Sequence, residues 1–128
     1  MNQEELNRLS KIILDASIEV HRNLGPGLLE SIYEVCLCKE LNLRKISFQR
    51  QVALPVVYKK EQLDAEFRID ILVENEIILE LKSVEVLLPV HEAQLITYLK
   101  LADKRLGFLI NFNVPILVEG FKRKVNNF

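Results

Sequence analysis

Cysteine is scarce in this chain, with only Cys36 and Cys38 among 128 residues. Two apart in a helical stretch, they point to different sides, which excludes their pairing with one another. No further cysteine is present for a zinc cluster, so both read as small buried side chains. Long hydrophobic runs are missing too: nothing approaches the ~18 uninterrupted apolar residues of a membrane-spanning helix. The Met-Asn-Gln-Glu-Glu start has neither the basic residues nor the apolar run of a secretory leader, and a reducing cytoplasm is the expected compartment. There is no charge imbalance, since 17 Lys and Arg stand against 18 Asp and Glu for a formal net charge of −1. That excludes nucleic-acid binding through overall positive charge; such a partner would need a local basic patch. Internal repeats, linkers and low-complexity segments are absent as well.

What is present describes a globular domain. Hydrophobic residues make up 49% of the chain, enough for a proper core, and the length fits one domain spanning 1–128. From Glu4 to about Asn23, Leu6, Leu9, Ile13, Ala16 and Val20 recur at three- and four-residue steps, the period of an amphipathic helix. Gly25-Pro26-Gly27 breaks it. A second helix is expected from about Leu28 to Leu43, with Glu30 in its first turn, where the helix dipole favours a carboxylate. The period then becomes two. Phe48, Val52, Leu54, Val56 and Tyr58 form one alternating run, Phe67, Ile69, Ile71 and Val73 a second, and Ile77, Leu79 and Leu81 a third. A helix from Pro89 to about Ala102 follows, then a strand from Leu106 to Phe112 and a further one at Ile116 to Val118. The order is ααβββαβ(β), an α/β domain.

The hairpin around Glu74-Asn75-Glu76 carries the chemistry. Both of its strands place apolar residues at odd positions, and buried faces must match across a pair. A three-residue turn meets this condition, setting Ile71 opposite Leu79, Ile69 opposite Leu81 and Asp70 opposite Glu80. Directly opposed side chains have Cβ atoms ~5 Å apart, where two like charges repel. Lys82 projects to the same face two residues beyond Glu80, as does Arg68. Two carboxylates near a lysine suit a hard, oxygen-seeking cation such as Mg²⁺. On spacing alone, a solvated sheet face with ordinary charges fits equally well.

Other polar residues could join them. Tyr33 lies one turn beyond Glu30, and the alternative for this pair is a favourable helix-start charge with a half-buried tyrosine. His91, Gln94 and Tyr98 form a stripe on the later helix, which is also what an ordinary polar flank looks like. Gln51 falls near Asp70 if the first strand pairs apolar-to-apolar with the second. Lys122-Arg123-Lys124 reads as a solubilising tail, and His21 as a cation favoured near a helix C-terminus.

Taken together, His21-Arg22-Asn23-Leu24-Gly25-Pro26-Gly27-Leu28-Leu29-Glu30-Ser31-Ile32-Tyr33 resembles the signature of the GxxExxY proteins, a branch of the PD-(D/E)XK nuclease superfamily. The likeness continues through Phe67-Arg68-Ile69-Asp70, Glu80-Leu81-Lys82-Ser83-Val84-Glu85, His91-Glu92-Ala93-Gln94-Leu95 with Tyr98-Leu99, and Gly107 to Asn113. It covers the chain from about Ile18 onward, with Ile69 where the superfamily name expects Pro. The resemblance implies a restriction-endonuclease-like core, a mixed β-sheet flanked by helices. It implies Asp70, Glu80 and the Leu81 carbonyl as ligands of Mg²⁺ or Mn²⁺, with Glu30 assisting directly or through water. Lys82 would orient the attacking water, Gln94 would support the site, and Tyr98, His91 and Tyr33 would contact substrate. The implied activity is hydrolysis of phosphodiester bonds in nucleic acid, DNA ahead of RNA, with a homodimer as the assembly. The alternative is a non-catalytic module of the same fold that binds nucleic acid or a protein partner.

Overall fold

Asn2 starts the first helix: its side chain accepts the Glu5 N–H while the Glu5 carboxylate accepts the Asn2 N–H, a capping box. In the computed structural model, which describes residues 1–128, this helix is α1 (Gln3–Leu24), followed by α2 (Glu30–Leu43), β1 (Phe48–Tyr58), β2 (Glu61–Val73), β3 (Ile77–Lys82), α3 (Pro89–Ala102), β4 (Leu106–Asn111), a 3₁₀ turn (Leu117–Gly120) and β5 (Phe121–Val125). The strands form one mixed sheet in the order β1-β2-β3-β4-β5. Only β3 and β4 run parallel, joined by the α3 crossover, and the other neighbours are antiparallel. This is the expected α/β architecture, a five-stranded mixed sheet flanked by three helices.

Each face of the sheet has its own apolar cluster. On one, Leu6, Ile13, Val20, Tyr33, Leu37 and Leu41 of α1 and α2 pack against Ile71, Val73, Leu79, Leu81, Phe108 and Ile110. On the other, Leu95, Tyr98 and Leu99 of α3 cover Ile69, Leu72, Ile78 and Leu109. The inner strands β3 and β4 are buried on both sides, which is why their sequences read as continuous apolar runs. Each such Leu or Ile contributes roughly 1.5–3 kcal/mol by leaving water. At Gly107 α3 lies so close that a Cβ would sit 2.9 Å from Leu95 Cδ1.

Four expectations need correction. The second helix begins at Glu30, not Leu28, because Leu29 has an extended backbone at the N-cap, with the Leu28 N–H bonded to the Tyr33 hydroxyl. No strand forms at Ile116 to Val118; Leu117 is buried in the 3₁₀ turn, and Gly120 sits against the Asn111 carbonyl, where a Cβ would collide. The last strand is instead β5, and it contains Lys122-Arg123-Lys124. Those residues are not a tail. β5 pairs antiparallel with β4, Phe121 stacks on Phe108 with ring centroids 4.6 Å apart, and Lys124 pairs with Glu92 of α3. Lysines on a short edge strand also discourage pairing with other chains.

The fourth correction concerns the hairpin. Ile71 lies opposite Leu79, as the alternation requires, with Leu72 opposite Ile78 and Val73 opposite Ile77, but the ladder ends there. Ile69 does not face Leu81. It joins the α3 cluster while Ile71 and Leu81 belong to the opposite face. The pairing of β1 with β2 skips a step at the same level: Arg50 pairs with Ile71 and Val52 with Ile69, whereas Gln51 and Asp70 between them drop out. Gln51 has φ of 50°, a left-handed conformation unusual for a side-chain-bearing residue. This local distortion lets β2 leave β3, as bulges beside functional sites commonly do.

Candidate active site

Where the two strands part, side chains replace the ladder. The Asp70 N–H donates to Glu80 Oε2 at 2.8 Å, and the Leu81 N–H donates to Asp70 Oδ2, also at 2.8 Å. Each carboxylate thus holds a backbone amide that lost its partner strand. Only one oxygen of each acid is used. No side-chain oxygen in the chain is both fully buried and without a hydrogen bond, so Asp70 Oδ1 and Glu80 Oε1 reach solvent.

The electrostatics of the pair are those of acids with too little positive charge near them. Glu80 is only 5% exposed, and its pKa is pushed up to about 8, by burial first and then by the neighbouring Asp70 charge. Burial likewise raises Asp70. The Leu81 amide and Lys82 oppose that shift, and Glu34 and Glu30 add to it. Lys82 closes β3 with its ammonium free of any hydrogen bond or ion pair within the chain. Its backbone is fixed from the other side, since the Phe112 N–H donates to the Lys82 carbonyl at 3.0 Å.

The helices bring the remaining residues. Glu30, the first residue of α2, is exposed, and its Oε2 accepts the Ser83 N–H at a long 3.4 Å. From α3, Tyr98 is buried with its ring tilted against Phe67 at 5.7 Å. Its hydroxyl accepts from Gln94 Nε2 at 3.2 Å, and its pKa is raised by burial, then by Glu80 and Asp70. Tyr98 therefore lies within electrostatic reach of the carboxylates, with Gln94 bonded to its hydroxyl. His91 and Tyr33 are engaged elsewhere. His91 Nδ1 accepts the Leu88 N–H at the start of α3. Tyr33 is fully buried and stacked on Phe112 at 4.4 Å; its hydroxyl donates to the Gly25 carbonyl and accepts the Leu28 N–H. This residue shapes the Gly25-Pro26-Gly27 turn that delivers Glu30.

Two residues escaped the sequence reading. Glu34, one position beyond Tyr33, is 6% exposed and accepts two hydrogen bonds from Arg50, at 3.0 and 2.7 Å, and one from Gln51 at 2.8 Å. The distortion at Gln51 turns that side chain toward α2. The available signal was a carboxylate within the Leu37–Leu41 stripe of α2, where an acid needs a partner. Asn111, 2% exposed, ends the apolar β4. Its side chain donates to the Val84 carbonyl and accepts the Val84 and Asn113 N–H groups, clamping the loop after Lys82.

The donor set fits a divalent cation in a particular way. No three His, Cys, Asp or Glu side chains gather closely enough to hold a metal ion alone. Asp70 and Glu80 offer one free oxygen each. That combination suits Mg²⁺ or Mn²⁺, which are commonly held by one or two carboxylates with water and substrate phosphate completing the shell. Acids whose pKa values are raised by burial and by neighbouring carboxylates also gain from a cation beside them.

Comparison with known proteins agrees with the geometry. No curated protein and no solved structure gives a match. The family model of the PD-(D/E)XK nuclease superfamily matches residues 7–124, from within α1 into β5, and includes every residue of the candidate site. The chain belongs to the PD-(D/E)XK nuclease superfamily.

Proposed function

We propose that this protein is a metal-dependent nuclease of the GxxExxY branch that hydrolyses phosphodiester bonds, with DNA favoured over RNA as substrate. The observation that carries the reading is the Asp70–Glu80 pair: amide-anchored acids of raised pKa, each with a free oxygen, beside the unpaired ammonium of Lys82.

Asp70 and Glu80 would hold Mg²⁺ or Mn²⁺, with the Leu81 carbonyl and Glu30 as further donors, Glu30 acting directly or through water. A divalent cation bound there would supply Lewis acidity toward a phosphate oxygen and toward the attacking water. Lys82 accounts for the rest of the charge. Its free ammonium orients a water by hydrogen bonding and stabilises the negative charge that grows on the phosphoryl oxygens. Water attack forms a new P–O bond and breaks an ester bond, leaving a phosphate monoester and a hydroxyl, with the water proton ending on the departing oxygen. Gln94 holds the Tyr98 hydroxyl toward the acids, and Tyr98 keeps that side of the site dry. His91 retains Nε2 for a substrate contact. The free edge of β1 leaves room for pairing into a homodimer.

Purified protein incubated with single- and double-stranded DNA and RNA tests this reading. Cleavage should require Mg²⁺ or Mn²⁺, stop in EDTA, and fall by at least about 10²-fold in Glu80→Ala and Lys82→Ala. Cleavage by Glu80→Ala at the unaltered rate would show that the activity lies elsewhere. Absence of cleavage under every condition would favour a binding module of the same fold.

A further inference from the structure

The chemistry above leaves an aliphatic wall beside Glu30 without a use. Leu28, Leu29 and Ile32, together with Gly27, Ser83 and Asn113, line an open pocket of about 530 Å³, within the roughly 300–1,000 Å³ range of small-ligand sites. Leu29 is 73% exposed and Ile32 44% exposed, although both flank a residue of the proposed site. The pocket borders Glu30 of that site: Glu30 follows Leu29, and the N–H of Ser83, a lining residue, points at the Glu30 carboxylate. A second concavity formed by Leu28, Leu29, Glu30, Ser31 and Ser83 extends the same wall to Glu30. The Ser83 hydroxyl and the Asn113 carboxamide make no hydrogen bonds within the chain, since only the backbone amides of these residues are engaged.

Phosphate and sugar are poor matches for such a surface. A nucleobase is a good one, because it presents an apolar face to aliphatic side chains and a hydrogen-bonding edge to a hydroxyl and a carboxamide. Within a duplex that face is stacked and that edge is paired, so a base must be unpaired to enter. We infer that the Leu28–Leu29–Ile32 pocket receives an unpaired nucleobase of the substrate strand beside the cleaved phosphate, with Ser83 and Asn113 facing its edge. The substrate is therefore single-stranded, or frayed at the point of cleavage. The inference rests on the nuclease reading and narrows it to a strand form.

Fluorescence anisotropy with Ca²⁺ in place of Mg²⁺ tests binding apart from cleavage. The probes are a labelled mixed-sequence single-stranded DNA, its duplex, and the same strand with abasic sites along its centre. The variants are Leu29→Ser and Ile32→Ser. Leu29 precedes the first residue of α2 without a side-chain cap, so serine there adds a favourable cap and does not threaten the fold. The intact strand should bind more tightly than the duplex. The abasic strand and each variant should lose about tenfold, at the lower end of what base contacts contribute, and combining them should lose no more. Equal binding of strand and duplex, or unaltered binding by both variants, overturns the pocket. Glu80-dependent cleavage of duplex at the single-strand rate also overturns it while leaving the nuclease intact. Pocket-dependent binding without cleavage in either Mg²⁺ or Mn²⁺ would support the pocket and end the nuclease reading.

Discussion

Glu80 illustrates how burial and function pull one side chain in opposite directions. Its folded-state pKa of about 8 stands above the ordinary 4.5 because burial and the Asp70 charge disfavour ionisation. Below pH 4.5 folded and unfolded chains both hold the proton. Between 4.5 and about 8 the folded chain keeps a proton that the unfolded chain releases, so stability falls as pH rises through that window and levels off above it. Thermal melts in EDTA from pH 5 to 8.5 should show this decline, and Glu80→Gln, which still accepts the Asp70 N–H, should flatten it. Cys38 gives a contrasting case. Burial pushes its thiol up to about 11, so at pH 8 it carries almost no thiolate and should resist a thiol reagent, whereas the half-buried Cys36 should react first; peptide mapping after brief labelling distinguishes them. Neither property follows from a residue's position in the sequence, since both arise from what covers the side chain.

The hairpin shows how far periodicity reaches. The parity of apolar positions in β2 and β3 correctly sets Ile71 against Leu79 and brings Asp70, Glu80 and Lys82 to a common end of the sheet. It also predicts an Ile69–Leu81 pair, and that fails because Gln51 adopts a left-handed backbone and β2 turns toward α3. A glutamine announces no such conformation. β5 was hidden for a different reason: an edge strand needs few apolar residues, so Phe121-Lys-Arg-Lys-Val125 looks like a polar tail. The loop after Lys82 depends on a single residue, Asn111, whose interactions join chain segments far apart in sequence. Asn111→Ala should cost roughly 1–3 kcal/mol in urea unfolding and speed amide exchange in residues 83–88, while β3 and β4 remain protected.

Stability is distributed unevenly over the molecule. β3 and β4 are covered on both faces, yet β3 is only six residues long against eleven and thirteen for β1 and β2. The far end of the β1–β2 hairpin therefore extends past its third strand, with Val57, Tyr58 and Leu63 exposed. Two strands without a third are marginal in water. Native-state hydrogen exchange should find residues 56–65 opening at far lower free energy than residues 77–81 and 106–111. The site lies at the boundary between these regimes, where the hairpin departs from the sheet. Charge is equally uneven, since a nearly neutral chain gathers Glu30, Glu34, Asp70 and Glu80 around one end of β3. Arg50 answers Glu34, while Lys82 stands before the remaining acids, too little to welcome a polyanion without added cations.

The reciprocal bonds of Asp70 and Glu80 to each other's strand give these acids a second employment as the final stitches of a seam. A lineage that lost catalysis would still be selected to keep them, because releasing either one frays the sheet where β2 and β3 part. Lys82 fastens nothing with its side chain. Its identity among related chains, more than that of the two acids, would record whether the proposed chemistry is in use.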